Sequence, residues 1–389
     1  MKPLYFIRLK PLSSFYFGSE RNFQDGESYL ARSLRFPQQT TLLGVLRYIL
    51  LQAHGILDAH NYGRAAGNDA ERYIGPESFS ANQPAVPKAY GAIKSISPLF
   101  LMKGDEIFYP GNMDHTYTFV KDNPGSSITD RPRGFIPAMR EYDAKHPEPE
   151  CMVSNKGSRI EHGKIFQEVP QVGIYKIKRR FSTRRTTGDK EAEKGFYKQI
   201  SYCFKEHDWQ FAFLADLEEN AAKKLCEYLM DSGVVTHIGG ERSPFNFSMK
   251  KCDEGFLSLP AHTVYDTGSA LTNYTKAILL SEAYVEDPIY DYCDFAFTDT
   301  VDFRFLQTSV LKTKNYHRLW TEKSKDDSAV RKSKIKYNLF QRGSVFYITE
   351  NKIEEFKQAI EKAQAFRQIG CNSYVTVNST VQLHSWIME

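Results

Sequence analysis

The residues best suited to chemistry with a phosphate lie at the middle of the chain. Between Lys176 and Lys194 stand eight cations, Lys176, Lys178, Arg179, Arg180, Arg184, Arg185, Lys190 and Lys194, against three acids, Asp189, Glu191 and Glu193. Ser182, Thr183, Thr186 and Thr187 are interleaved with them. A guanidinium fork pairs two donors with a phosphate, and small hydroxyls reach the oxygens left over. A solvated loop has the same composition. A second cluster, Gly239, Gly240, Glu241, Arg242 and Ser243, follows a run of apolar residues. Two glycines at a strand end bring backbone N–H groups close to an anion without a Cβ in the way, and Arg242 and Ser243 add a fork and a hydroxyl. The same pair of glycines also makes an ordinary turn.

Motifs for other chemistries are missing. The chain has no Walker loop, no GxGxxG, no HExxH and no nucleophile elbow. Its ten histidines are dispersed, and only His237, before the double glycine, and His54, after the first helix, stand where a general base for metal-free RNA cleavage could act. Six scattered cysteines, with no CxxC, imply neither a zinc site nor a disulfide framework. We expect no catalytic residue, no metal and no cofactor. The N-terminus lacks the pattern of a signal peptide and no window is apolar enough to span a bilayer, so a cytoplasmic protein is expected.

The elements that must position these residues follow from periodicity. Alternating apolar residues on both sides of the basic run predict a long β-hairpin, a protruding thumb, over residues 172–205. Residues 4–12 alternate as an opening strand. Leu42, Leu43, Val45, Leu46, Ile49 and Leu50 form the apolar face of a helix capped by Thr40 or Thr41, and Gly44 within it suggests a close approach. Residues 93–103 and 106–109 read as strands turning at Gly104 and Asp105, and residues 209–214, 218–230 and 234–238 as strand, helix and strand.

The second half repeats this order more weakly, with strands over 256–264, 303–312, 344–348 and 374–377 and helices over 269–280 and 353–366. Residues 54–85 and 111–168 lack a period and are taken as insertions, the longer one as a functional or partner-contacting loop system. An acidic block over 282–302 and a basic block over 323–342 read as solvated loops. At 389 residues, 41% apolar and 25% charged, the chain has room for two domains. Its net charge of +4 means that an anionic partner must be met by local patches. An aromatic share of 14% supplies rings that stack on bases as readily as they fill cores.

Three segments in this order, RFPQQTTLLGVLRYILL from Arg35, VGIYKIKRRFSTRRTTGDKEAEKGFY from Val172 and THIGGERSPF from Thr236, resemble a known family. It is the RAMP-superfamily third subunit of the type III-B CRISPR (Cmr) effector. The resemblance covers about residues 17–250, and more weakly RGSVFYI and Gly370 beyond them. It implies an α+β fold of two ferredoxin-like domains, residues 1–243 and 244–389, with the two insertions and the thumb in the first. It further implies a non-catalytic RNA-binding subunit that holds the 5′ tag of the guide RNA (crRNA). Such a subunit sits against the large cyclase-like subunit and the first backbone subunit and wedges its thumb near the target RNA. By that resemblance Gly239, Gly240, Glu241, Arg242 and Ser243 line the tag site, with Gln39, Thr40, Thr41 and Arg47 nearby. Lys178, Arg179, Arg180, Arg184 and Arg185 lie on the thumb. A metal-independent processing endoribonuclease and a pure protein–protein scaffold remain as alternatives.

Overall fold

The computed structural model describes residues 4–18, 29–58, 64–65, 69–76, 78–115, 117–120, 134–137, 150–176, 194–230, 233–239, 241–252, 258–260, 265, 274–307, 331–333, 335–376 and 380–382. The protein is α+β and strand-rich, built on two main antiparallel sheets. The first takes in β1 (Leu4–Pro11), β3 (Ile93–Ile96), β4 (Phe100–Lys103), β5 (Glu106–Pro110), β6 (Cys151–Ser154), β7 (Arg159–Glu161), β10 (Trp209–Leu217), β11 (Val234–Ile238) and β12 (Ser243–Lys251). Its order is β7-β6-β5-β4-β10-β1-β12-β11, with β3 also on β10. β12 carries the first sheet to Lys251, past the boundary expected at residue 243.

Two helices, α1 (Gln39–Ala53) and α2 (Glu219–Leu229), cover one face of this sheet. Leu42, Leu46, Ala221 and Leu225 pack there against Ile7, Phe211, Phe213 and Phe247, all essentially buried. On the opposite face Leu4, Phe6, Phe100, Met102 and Leu214 meet the second sheet. That sheet contains β13 (Tyr274–Leu279), β14 (Cys293–Phe297), β15 (Val345–Thr349) and β16 (Tyr374–Thr376), in the order β14-β15-β13-β16. Tyr274, Ile278, Val345 and Tyr347 face the first sheet, while Ala277, Phe346 and Ile348 face α3 (Ile353–Glu361) on the outside. A third sheet sets β8 (Phe166–Lys176) antiparallel to β9 (Lys194–Phe204), with β2 (Tyr29–Arg32) parallel to β9.

Several expectations change. Residues 274–279 form a strand where a helix over 269–280 was expected. β13 is buried on both faces, so its apolar run carries no clean alternation, and such a run does not tell strand from helix. The acidic block is not all loop: it supplies β14, and Asp287 pairs with Lys362, Asp302 with Lys336 and Glu282 with Arg342, while most of its acids stay at the solvent surface as expected. The helix expected over 353–366 breaks after Glu361 and resumes as Gln364–Gln368. Within the longer insertion, β6 and β7 extend the first sheet instead of forming loop. The helix α1 starts one residue before Thr40, with Gln38 at its N-cap and no side-chain cap bond. Gly44 is exposed, and a Cβ there would meet nothing within 4 Å, so no close approach requires it.

Candidate nucleic-acid interface

The double-glycine cluster closes the hairpin between β11 and β12, whose last pair is Ile238 with Ser243. Gly239 has φ of +84°, and a Cβ on it would lie 2.1 Å from the Tyr16 carbonyl oxygen. Glycine is needed there by the chain's own backbone. Ser243 is buried and its hydroxyl accepts the Tyr16 N–H at 3.0 Å. Glu241 and Arg242 are exposed, and Arg242 adopts φ of +52°, a conformation uncommon outside glycine. Gly240 lies outside the described residues. The hairpin thus offers Arg242 outward and spends Gly239 and Ser243 on holding itself to residues 15–17.

Those same residues reach the thumb. Phe15 exchanges two backbone hydrogen bonds with Tyr202 of β9, at 2.7 and 3.0 Å, and the Phe17 N–H donates to the Ser33 hydroxyl at 2.9 Å. Phe17 also stacks on Phe245 of β12. Residues 15–17 therefore fasten the glycine hairpin, the thumb base and the segment before α1 to one another. The pairing of β8 with β9 runs from Phe166↔Phe204 to Lys176↔Lys194, an antiparallel ladder as the alternation predicts. Lys178, Arg179, Arg180, Arg184 and Arg185 lie outside the described residues.

The residues expected from α1 divide. Thr40 and Thr41 are half-buried at its start. Gln39 is buried and its amide donates to the Ser97 carbonyl at 3.0 Å, a structural bond. Arg47 is buried beside Tyr90, so its charge does not reach the surface, and burial pulls its guanidinium down to about 10. His54 ends α1: its Nδ1–H donates to the Leu50 carbonyl at 2.8 Å and its ring lies 3.8 Å from that of Tyr73. His237 is exposed on β11.

Sequence reasoning missed a cleft of about 860 Å³ between the two halves. Residues 32–39, leading into α1, form one wall, and residues 296–303 with Gln341 and Arg342 form another. Arg342 chelates Glu282 at 2.7 and 3.0 Å and lies 4.6 Å over the Phe36 ring. Glu150 accepts from His162, Arg35 and Gln341 at 2.9, 2.8 and 2.7 Å. The bond from His162, with the Arg35 charge and Gln341, holds the Glu150 carboxyl down at about 2 against the opposing effect of burial. Burial pushes His162 the other way from a free imidazole, below its ordinary value, and Arg35 and Arg342 add to this. The residues are far apart in sequence and unremarkable singly, so no spacing announced them. Among the described residues no group of three or more His, Cys, Asp or Glu could hold a metal ion, and the cysteines are unpaired thiols.

A model of the CRISPR-associated Cas_Cmr3 proteins matches residues 7–123 and 152–379. The chain belongs to this family. Comparison with curated proteins returned no match. Among solved structures, a chain of a type III-B Cmr-beta complex bound to cognate target RNA is similar at 14% identity and a TM-score of 0.49, covering 98% of this chain and 99% of that one. A chain of a type III-A Csm3–Csm4 subcomplex is similar at 11% identity and 0.36, covering 90% and 96%. At these scores the likenesses add nothing to the family assignment, which rests on the residues matched.

Proposed function

We propose that this Cas_Cmr3 family member is the subunit of a type III-B effector that holds the 5′ tag of the guide RNA. It has no ribonuclease activity of its own. The tag lies at the hairpin of residues 239–243, and the thumb wedges between the tag and the first guide–target base pairs. The large cyclase-like subunit and the first backbone subunit are its protein neighbours, and a cytoplasmic setting follows from that role. The observation that carries this reading is the joint made by residues 15–17, which ties the exposed Arg242 turn to the base of the basic hairpin. Phosphates reaching one would be led to the other. The two-fold ferredoxin-like reading has support in the strand orders. In both main sheets the second, third, first and fourth core strands follow one another, β4-β10-β1-β12 and β14-β15-β13-β16, all antiparallel.

The test is binding of tag RNA by the purified chain over a salt series. Arg242→Ala should weaken binding and lower the slope of log K on log salt by roughly 0.7, the single-strand value for one phosphate. Alanine at Arg179, Arg180, Arg184 and Arg185 together should leave thermal stability unchanged and weaken target engagement only in the assembled effector. Unchanged tag affinity in Arg242→Ala would move the tag elsewhere. Cleavage of guide precursor by the pure chain, lost in His237→Ala, would make it a nuclease.

A further inference from the structure

The second sheet covers only part of the first. Among the described residues it packs over Leu4, Phe6, Phe100, Met102 and Leu214 and leaves the end formed by β1, β12 and β11 uncovered on that face. Register places the side chains there in rows. His237 stands beside Pro244, Lys10 beside Asn246 and Val235, Arg8 beside Ser248, and Lys250 beside Phe6. Lys10, Lys250 and His237 are exposed, and Val235 and Leu12 are 59% and 52% exposed. Residues 8–12, 235–237 and 244–250 contain no Asp or Glu. The half-buried Arg8 keeps its Nε without a hydrogen-bond partner among the described residues. A sheet face of an ordinary soluble protein intersperses acids with its lysines. This one holds three cations, an imidazole, an amide, a hydroxyl, a proline and two exposed apolar side chains.

We propose that this open face binds single-stranded RNA, the nucleotides adjoining those at the glycine hairpin. The row of His237 and Pro244 is next to the Ile238↔Ser243 pair that closes the hairpin, so the face begins where the Arg242 turn ends. Lysines at rows separated along the strands meet successive phosphates, Ser248 lies between them for a base edge or 2′-hydroxyl, and Val235 and Leu12 give a base an apolar surface. RNA is favoured over an acidic protein because the cations alternate with hydrogen-bonding side chains and the patch is continuous with the phosphate-facing turn. The inference deepens the proposed function and rests on it only for which RNA segment is bound.

The experiment uses the full chain and labelled oligouridylates of ~4 and ~16 nucleotides, the range of single-strand site sizes, over a salt series. The wild-type chain should bind the longer RNA more tightly. Lys10→Ala with Lys250→Ala, its melting temperature unaltered, should weaken the longer RNA roughly tenfold and lower its salt slope by roughly 1.4, two phosphates' worth. Binding of the shorter RNA should persist. Arg242→Ala should weaken both. Unchanged long-RNA binding in the double variant overturns the proposal, as does equal binding of the two lengths by the wild-type chain. A double variant that keeps RNA but no longer joins the effector also overturns it, and makes the face a protein dock. If the lysines matter and Arg242 does not, the face stands and the tag reading at the hairpin falls.

Discussion

Gly239 and Arg242 sit in one turn and answer to different demands. An alanine at Gly239 would combine a φ of +84° with a Cβ 2.1 Å from the Tyr16 oxygen. The conformation alone costs about 1–3 kcal/mol, and the overlap adds to it. Gly239→Ala is therefore expected to lower the denaturation midpoint markedly, while the exposed Arg242→Ala stays within about 0.5 kcal/mol of wild type. Urea unfolding of both variants measures the contrast. Glu150 sets a pH dependence of its own. Its folded value, about 2 against 4.5 when free, gives stability that is present above pH 4.5 and lost as the pH falls towards 2. His162, buried and shifted below 6.5, acts in the same sense: the unfolded chain takes up its proton first as the solution is acidified, so folding weakens below 6.5. Glu150→Gln should flatten the acid limb of a stability–pH curve between 4.5 and 2. The carboxylate is half exposed, so solvent screening keeps the effect modest.

At the scale of elements, α1 carries a glycine that neither packing nor backbone conformation explains. Gly44→Ala should stabilise the isolated chain by about 1 kcal/mol, the difference in helix propensity. Thermal unfolding checks this, and a stabilised variant that binds its partners less well would show that the bare backbone at Gly44 faces one of them. The thumb gains its footing in a different way. β9 is held on one side by β8, on the other by the parallel β2, and at Tyr202 by Phe15, while Phe166, Phe204 and Phe211 pack their rings beneath. A hairpin of two strands is marginal alone in water; these additions fix its base.

The two halves form a single mechanical unit. Asp114, from the start of the longer insertion, accepts from Lys276 of β13 at 2.6 Å and from the hydroxyl of Tyr347 of β15, and Asn112 donates to its other oxygen. The Lys276 charge and these hydrogen bonds hold the Asp114 carboxyl low although burial works against them. Removing one member of a buried pair leaves the other charge unpaired, so Asp114→Ala should cost about 3–5 kcal/mol, read as a shift in the denaturant midpoint. Gln368 adds a second tie, donating to the Lys88 and Lys94 carbonyls at 2.8 and 2.9 Å. With Phe366 and Ile369 of the second half inside the core of the first, calorimetry should find one unfolding transition and not two.

Wherever a local pattern sufficed, the amino-acid sequence determined the outcome. Alternation with a basic tip made the β8–β9 ladder, a wide apolar stripe made α1, and a double glycine marked the β11–β12 turn. The order of three motifs pointed to the family that the comparison establishes. Tertiary structure decided what single positions are for. Arg47 and Gln39, placed beside the tag site by the resemblance, are buried, because α1 packs on the first sheet and hides even these polar positions. The strand β13 hid its period because two layers press on it. The acidic block became part strand, and three of its charges find Arg342, Lys336 and Lys362 from segments remote in sequence. The cleft and the open cationic face come from how the second sheet is laid across the first, a matter of long-range packing to which no window of sequence has access.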